Sequence, residues 1–168
     1  LSQIGVYVQD ELAYDSWRAT LGLRQDWAST RGSTTNGLTG VSRSLDQDDQ
    51  KLTGRAGLSY LFDGGISPYV SYATSFDPIA SSAGADFKPS EGQQWEAGIK
   101  YQPENWNGLL SAAVFDLNQT NVLRTVNGVT EQIGEVQVRG VELEGVVSLI
   151  EGLDLRAAYT YTDARIGA

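Results

Sequence analysis

The sequence predicts an all-β protein, an antiparallel segment of a transmembrane β-barrel with about eight strands in up-and-down meander order. Three observations predict this fold class. Apolar and polar residues alternate with period two along most of the chain. Short and long connections between the alternating segments follow one another in turn. The composition, with 19 Gly, eight Tyr, four Trp and only 4 Pro in 168 residues, favours strands over helices.

The composition also excludes several classes of site. The chain has no Cys and no His, which rules out disulfides, the usual zinc and haem sites and a Ser-His-Asp triad. Its formal net charge of -9 argues against binding of nucleic acid. Glu142 and Glu144 share a strand face roughly 7 Å apart, a spacing within the range of inverting glycosidases, but nothing else in the sequence builds a sugar cleft. We expect no enzyme, no catalytic residue, and no resident metal or cofactor.

The alternation is clearest in residues 17–27. Trp17, Leu21, Leu23 and Trp27 lie on one face, while charged residues such as Arg24 occupy the other. The ten steps between the two Trp residues cover about 33 Å of strand, or about 25 Å of height at a tilt of about 40°, which matches the apolar band of a membrane barrel. Seven further segments alternate in the same way, with residues 109–118 the least regular: 4–12, 52–62, 66–76, 95–101, 109–118, 141–147 and 153–161.

The predicted connections alternate in length. Short turns are expected at residues 14–16, 63–65, 103–107 and 151–152, and long polar loops at residues 30–50, 78–91 and 119–134. This order places all short turns at one end of the sheet and all long loops at the other. Outer-membrane barrels follow this plan, with short periplasmic turns and long extracellular loops.

The charged face of the strands is predicted to line a lumen. An Arg or Lys facing lipid near the bilayer midplane costs about 2–4 kcal/mol, so this face must meet water or protein. The residues predicted to face the lumen, or a domain docked in it, are Arg18, Arg24, Asp26, Arg55, Glu96, Lys100, Glu142, Glu144 and Arg156.

Aromatic residues are predicted to mark the two borders of the membrane. Tyr and Trp concentrate at both membrane interfaces of such barrels. The residues assigned to these aromatic girdles are Trp17, Trp27, Tyr60, Tyr72, Trp95, Tyr101, Tyr159 and Tyr161. Among the loop residues, Arg43, Phe87 and Arg124 are the candidates for contact with an oxygen-rich ligand.

Five stretches, in order, resemble the TonB-dependent siderophore receptors. They are GVYVQD at residues 5–10, PYVSYATSF at 68–76, KPSEGQQWEAGIKY at 88–101, RGVELE at 139–144 and YTYTDA at 159–164. The resemblance spans residues 4–165 and is closest to the ferrichrome, or hydroxamate-siderophore, branch. It implies a 22-stranded outer-membrane barrel around an N-terminal plug domain, which imports ferric siderophores with energy delivered through TonB.

By this resemblance, residues 1–168 form part of the barrel domain, and the plug and the remaining strands lie outside the chain. The implied partners are a ferric siderophore, outer-membrane lipid and lipopolysaccharide, the plug of the same parent chain, and TonB acting through that plug. Iron enters only as cargo. A different hypothesis is a complete eight-stranded barrel, either a small outer-membrane protein or a lipocalin-like carrier.

Overall fold

The computed structural model describes residues 1–35, 39–79, 87–104 and 107–167, apart from the side chains of Thr34, Arg43 and Leu45. It consists of eight β-strands, as the alternation predicted. Within these residues, no helix is long and apolar enough to cross a membrane. The strands are β1 (Ser2–Tyr14), β2 (Trp17–Thr35), β3 (Ser42–Tyr60), β4 (Ile66–Asp77), β5 (Ser90–Tyr101), β6 (Gly108–Val126), β7 (Val129–Ile150) and β8 (Leu153–Gly167).

All eight strands belong to one antiparallel sheet in which each strand pairs with its neighbours in sequence. β1 and β8 form the two edges, and in the described part of the chain they make no contact with each other. The sheet is therefore open, and the hypothesis of a closed eight-stranded barrel is wrong. Each edge presents unpaired backbone N–H and C=O groups that further strands can pair with.

The register assigns every strand residue to one of two faces. The apolar face is defined here by a row of directly paired residues that crosses seven strands: Ala19, Leu58, Val70, Ala97, Val114, Val141 and Tyr161. The polar face is the opposite one and includes Arg55, Glu96 and Glu142. In β6, where the sequence pattern is irregular, Ala112 and Val114 lie on the apolar face and Ala113 and Phe115 on the polar face.

Two of the three predicted long loops are largely strand, so those predictions were wrong. β2 and β3 remain paired as far as Thr35 and Ser42, so residues 30–35 and 42–50 of the expected loop are strand. β6 and β7 remain paired as far as Val126 and Val129, where Asn127 and Gly128 make a two-residue turn with positive φ at both positions. The third predicted loop, at residues 78–91, keeps most of its length, because β4 ends at Asp77 and β5 begins at Ser90.

The sheet has no conventional core, because its apolar face is uncovered. Large apolar side chains such as Leu23 and Trp95 are more than half exposed. In the part of the chain that the structure describes, six residues are buried, five of them at polar-face positions of β2, β3 and β5 and one, Phe87, before β5: Asp26, Ala28, Thr30, Thr53, Phe87 and Ser90. The covered surface therefore lies on the polar face near one end of the sheet.

Candidate functional site

The Arg24–Asp26 ion pair is the most covered charged group on the polar face. Arg24 Nε lies 2.7 Å from Asp26 Oδ2, and Gln3 Nε2 on β1 donates to Asp26 Oδ1 at 2.9 Å. Asp26 is only 3% exposed, whereas the Arg24 side chain keeps 46% of its surface. The carboxylate is thus fully partnered within the sheet, and the guanidinium remains open on one side.

Arg55, on the neighbouring strand β3, is also held by a hydrogen bond within the polar face. It lies directly opposite Gly22, and a Cβ atom at Gly22 would be 3.1 Å from Arg55 Cγ. The missing side chain lets Arg55 extend along the wall, where its Nη2 donates to Gln9 Oε1. Near the short-turn end, Arg18 Nη1 donates to the backbone carbonyls of Asp15 and Trp17 at 2.6 and 2.8 Å.

Tyr69, on β4, organises the acidic part of the polar face. Its hydroxyl donates to Glu96 Oε1 at 2.7 Å, and its ring lies over Gly98, the residue directly opposite on β5. Gln94 Nε2 donates to the other oxygen, Glu96 Oε2, at 3.2 Å. The Lys100 ammonium lies 5.2 Å from the centroid of the Tyr69 ring, within the range of a cation–π interaction.

Glu142 and Glu144 lie on the same face of β7, as predicted. Among the described residues, neither carboxylate makes a hydrogen bond or an ion pair, and both are exposed. Arg156 on β8 likewise has no described partner. In contrast to Asp26, these groups are available to a partner outside the sheet.

At the far end of the polar face, a short segment before β5 connects strands that are distant in sequence. The carbonyl of Phe87 accepts a hydrogen bond from Gln47 Nε2 on β3 at 2.9 Å. Lys88 pairs through both its N–H and its carbonyl with the side-chain amide of Gln132 on β7. Asn121 Nδ2 donates to the carbonyl of Pro89 at 2.9 Å. Residues 87–89 are therefore tied to β3 on one side and to the β6–β7 hairpin on the other.

The β3–β4 ladder is short, and a cleft opens beside its end. Backbone pairing extends only from Ser59–Tyr69 to Arg55–Ala73. Beyond it, Thr74 Oγ1 accepts from Gly54 N at 2.9 Å and donates to Gly54 O at 3.3 Å, and so replaces the next backbone pair. The cleft has a volume of about 360 Å³, and its lining includes Gly54 and Arg55 on β3 and Ala73 and Thr74 on β4.

Several aromatic residues of the apolar face pack against an aromatic residue of the neighbouring strand. Trp17 and Tyr60 are direct partners with ring centroids 4.9 Å apart, and Tyr72 and Trp95 are direct partners at 4.7 Å. The remaining aromatic positions of this face that the sequence singled out are Trp27, Tyr101, Tyr159 and Tyr161.

Polar pairs begin on the apolar face where the aromatic positions end. Arg139 Nε lies 2.8 Å from Asp116 Oδ2, and Arg165 Nη2 lies 2.7 Å from Asp163 Oδ2. The hydrogen bonds that Arg165 donates to the Asp163 carboxylate raise the pKa of this exposed guanidinium above its ordinary value. Tyr161, two residues before Asp163, therefore marks the border of the apolar band on β8.

The positions of this border give the tilt of the strands. On β2 the apolar band ends at Trp27. The row of paired residues that starts at Tyr161 on β8 reaches β2 at Ala19, which is eight residues before Trp27. Eight residues correspond to about 26 Å along the strands, and six strand-to-strand steps to about 29 Å across them. With the border residues Trp27 and Tyr161 at the same height in the membrane, the strands are tilted by about 42° from the barrel axis. This tilt is within the 35–45° typical of transmembrane barrels.

Comparisons with known proteins decide the family. A family model described as "TonB dependent receptor-like, beta-barrel" matches residues 1–168. The chain belongs to this family. As a TonB-dependent receptor barrel segment it is part of a bacterial outer-membrane protein, in a family of receptors and transporters rather than enzymes.

Two curated relatives of the barrel segment are named for siderophores. The chain is 46% identical to the ferrioxamine B receptor of Salmonella typhimurium over 98% of its length, and 41% identical to the ferrichrome outer membrane transporter/phage receptor of Escherichia coli K12 over 96%. It spans only 24% and 22% of those proteins. The solved siderophore receptor PiuA of Acinetobacter baumannii has the same fold, with a TM-score of 0.83 at 24% identity over 98% of the chain and 25% of PiuA.

The structure separates the predicted polar-face residues of the receptor segment into partnered and open groups. The register places all nine on one face, where Arg24 pairs with Asp26 and Glu96 is held by Tyr69. Tyr69 itself was missed by sequence reasoning. The available signal was its position between Ser67 and Ser71, which places an aromatic residue on an otherwise polar strand face.

The three predicted ligand contacts have different outcomes. Phe87 is buried at 9% exposure, so its ring is not open surface. Arg124 is exposed, but it belongs to β6 opposite Glu131 rather than to a loop. Arg43 belongs to β3, and its side chain lies outside the described residues. The structure describes no contact that brings these three residues together.

Proposed function

We propose that the chain forms part of the wall of an outer-membrane receptor that imports ferric siderophores, with hydroxamate siderophores as the substrate class. Residues 1–168 belong to the barrel domain of this receptor, and a plug domain and further strands belong to the same parent chain. The supporting observation is the identity of 46% and 41% over nearly the whole chain to relatives named for ferrioxamine B and ferrichrome. Iron is cargo in this proposal and not a resident cofactor.

In this proposal the polar face lines the lumen and docks the plug. Glu142, Glu144 and Arg156 support this, because they are exposed charges with no partner among the described residues. Charged groups left unpaired on the polar face gain most from a partner of opposite sign that also excludes water. The partner is therefore expected to place cations against β5–β7. TonB acts on the plug and does not touch this segment.

The apolar face meets lipid. Trp and Tyr rings that pack against each other at its borders fit contact with acyl chains. Paired charges just beyond, such as Asp116–Arg139, fit contact with the sugar and phosphate groups of lipopolysaccharide. At the extracellular end, Arg124 and Arg43 remain candidates for contact with the oxygen-rich siderophore. Phe87 contributes by anchoring its segment.

Uptake by the full-length receptor tests this function. The receptor is expressed in an outer membrane without other siderophore receptors, and entry of radioactive iron is followed with ferrioxamine B, ferrichrome and a catecholate siderophore. We expect TonB-dependent uptake of at least one hydroxamate complex and none of the catecholate. Uptake of the catecholate alone would assign a different substrate class, and uptake without TonB would contradict the mechanism.

A further inference from the structure

We propose that Tyr69 is a positioning residue, whose hydroxyl fixes the Glu96 carboxylate so that it receives a cationic side chain of the plug domain. The inference rests on the proposed function, in which the polar face docks that domain. It goes further by assigning a role to a residue that carries no charge and contacts no partner itself.

The hydrogen bonds around Glu96 leave room for a cation. Tyr69 donates to Oε1 and Gln94 donates to Oε2, so each carboxylate oxygen has one neutral donor. A carboxylate offers about four lone-pair sites, and two of them therefore remain open. No described Lys or Arg forms an ion pair with Glu96. The group is fixed in direction and has no described cation beside its oxygens, which suits a guanidinium binding through two parallel hydrogen bonds.

Gly98 makes this arrangement possible. It lies directly opposite Tyr69, and a Cβ atom at this position would be 2.7 Å from Cε1 of the ring. The same Cβ atom would be 2.7 Å from the Ala112 carbonyl oxygen on β6, so any larger residue would displace both the ring and the neighbouring strand. With glycine, the ring lies along the sheet, and its hydroxyl reaches Glu96, two residues from Gly98 on the same strand. Lys100, two residues beyond Gly98 on the other side, places its ammonium 5.2 Å from the ring centroid.

The surroundings supply space for the incoming cation. The register continues from Gly98 through Ala113 to Glu142, so two small residues separate Tyr69 from a second carboxylate. Glu142 is exposed and has no described partner. The polar face therefore presents two carboxylates, Glu96 held by hydrogen bonds and Glu142 without them, near positions that carry only small side chains.

The test uses the full-length receptor in detergent and hydrogen exchange measured by mass spectrometry, which follows plug peptides and barrel peptides separately. The variants are Tyr69→Phe, which keeps the ring over Gly98 but removes the donor, Glu96→Gln, and the double variant. Tyr72→Phe is the matched control, because this hydroxyl is on the apolar face and makes only a 3.4 Å contact with Gln93.

We expect Tyr69→Phe and Glu96→Gln to speed exchange in the same plug peptides by about tenfold, the effect of losing a hydrogen bond to a charged group. The double variant should exchange no faster than Glu96→Gln, since Tyr69 acts through Glu96. Barrel peptides and the Tyr72→Phe control should be unchanged.

Three results would overturn the inference in distinguishable ways. If Glu96→Gln speeds exchange in the plug and Tyr69→Phe does not, plug docking stands and the positioning role is wrong. If Glu96→Gln has no effect on the plug, docking through Glu96 fails and the inference fails with it. If Tyr69→Phe speeds exchange in barrel peptides as much as in the plug, or the two effects multiply, Tyr69 acts as an ordinary wall residue.

Discussion

The side-chain amide of Gln132 binds Lys88 as a neighbouring strand would. Lys88 N donates to Gln132 Oε1 at 3.0 Å, and Gln132 Nε2 donates to the Lys88 carbonyl at 2.6 Å. The same Nε2 also donates to the carbonyl of Asn121 at 2.9 Å. One glutamine therefore connects the end of the β4–β5 connection to the β6–β7 hairpin, where no backbone ladder exists.

Gln132→Leu should release this connection. Loss of both hydrogen bonds leaves the Lys88 N–H without its partner, and its amide exchange should quicken by about tenfold or more. Hydrogen exchange on the full-length receptor measures this change. Gln137→Leu is the control, because Gln137 is on the same strand but donates to Asp116. Equal protection of Lys88 in both variants would show that Gln132 does not hold the segment.

Phe87→Ala should weaken folding more than ligand binding. The ring is 9% exposed, and truncation of a buried Phe typically costs about 3–5 kcal/mol. Urea unfolding of the full-length receptor measures the free energy, with exposed Arg124→Ala as the control, expected to lie within about 0.5 kcal/mol of the parent. The interpretation fails if Phe87→Ala leaves stability unchanged and abolishes siderophore binding instead.

Arg24→Met should destabilise the barrel by about 2 kcal/mol, because it leaves the Asp26 carboxylate buried with only Gln3 as a donor. The double variant Arg24→Met, Asp26→Asn should recover most of this loss. Arg31→Met, which breaks the exposed pair with Asp46, should cost under about 1 kcal/mol. Denaturant unfolding compares the three variants, and equal losses in Arg24→Met and Arg31→Met would contradict the role of burial.

Gly140→Ala should cost about 1–3 kcal/mol through overpacking. A Cβ atom there would lie 2.5 Å from Cζ of Phe115 and 2.5 Å from the Tyr161 carbonyl oxygen, so both a ring and a backbone must shift. Gly134→Ala on the same strand meets nothing within 4 Å and should be nearly neutral. Thermal unfolding distinguishes the two, and a neutral Gly140→Ala would show that the wall adjusts at that point.

The sequence predicted the strands well where one face meets a different environment from the other. In β2, Leu21 and Leu23 alternate with Gly22 and Arg24, and this sorting fixes both the strand and its faces. The paired ends of β2 and β3, such as Ser33 and Ser44, are polar almost throughout, so the period-two signal vanishes although the hydrogen-bond ladder continues. For this reason the extended part of the β2–β3 hairpin was predicted as a loop.

The covered residues were harder to predict, because contacts between distant parts of the chain determine them. Phe87 is buried in a segment that is held by hydrogen bonds to distant residues. Its own carbonyl accepts from Gln47, 40 residues earlier, and the adjacent Lys88 N–H donates to Gln132. No local pattern encodes these pairs. Tyr69 differs, because its place among serines on a polar face was visible in the sequence, although its contact with Glu96 requires the register.

Large side chains on the polar face repeatedly lie over a glycine on the next strand, as Arg55 does over Gly22, Tyr69 over Gly98 and Phe115 over Gly140. The clearance left inside the wall therefore depends on the neighbour of each bulky residue as well as on its own size. A substitution that adds a single methyl group to one of these glycines displaces a whole ring or guanidinium. In the receptor barrel that we propose, the calibre of the conduit therefore depends on pairs of positions that are far apart in sequence.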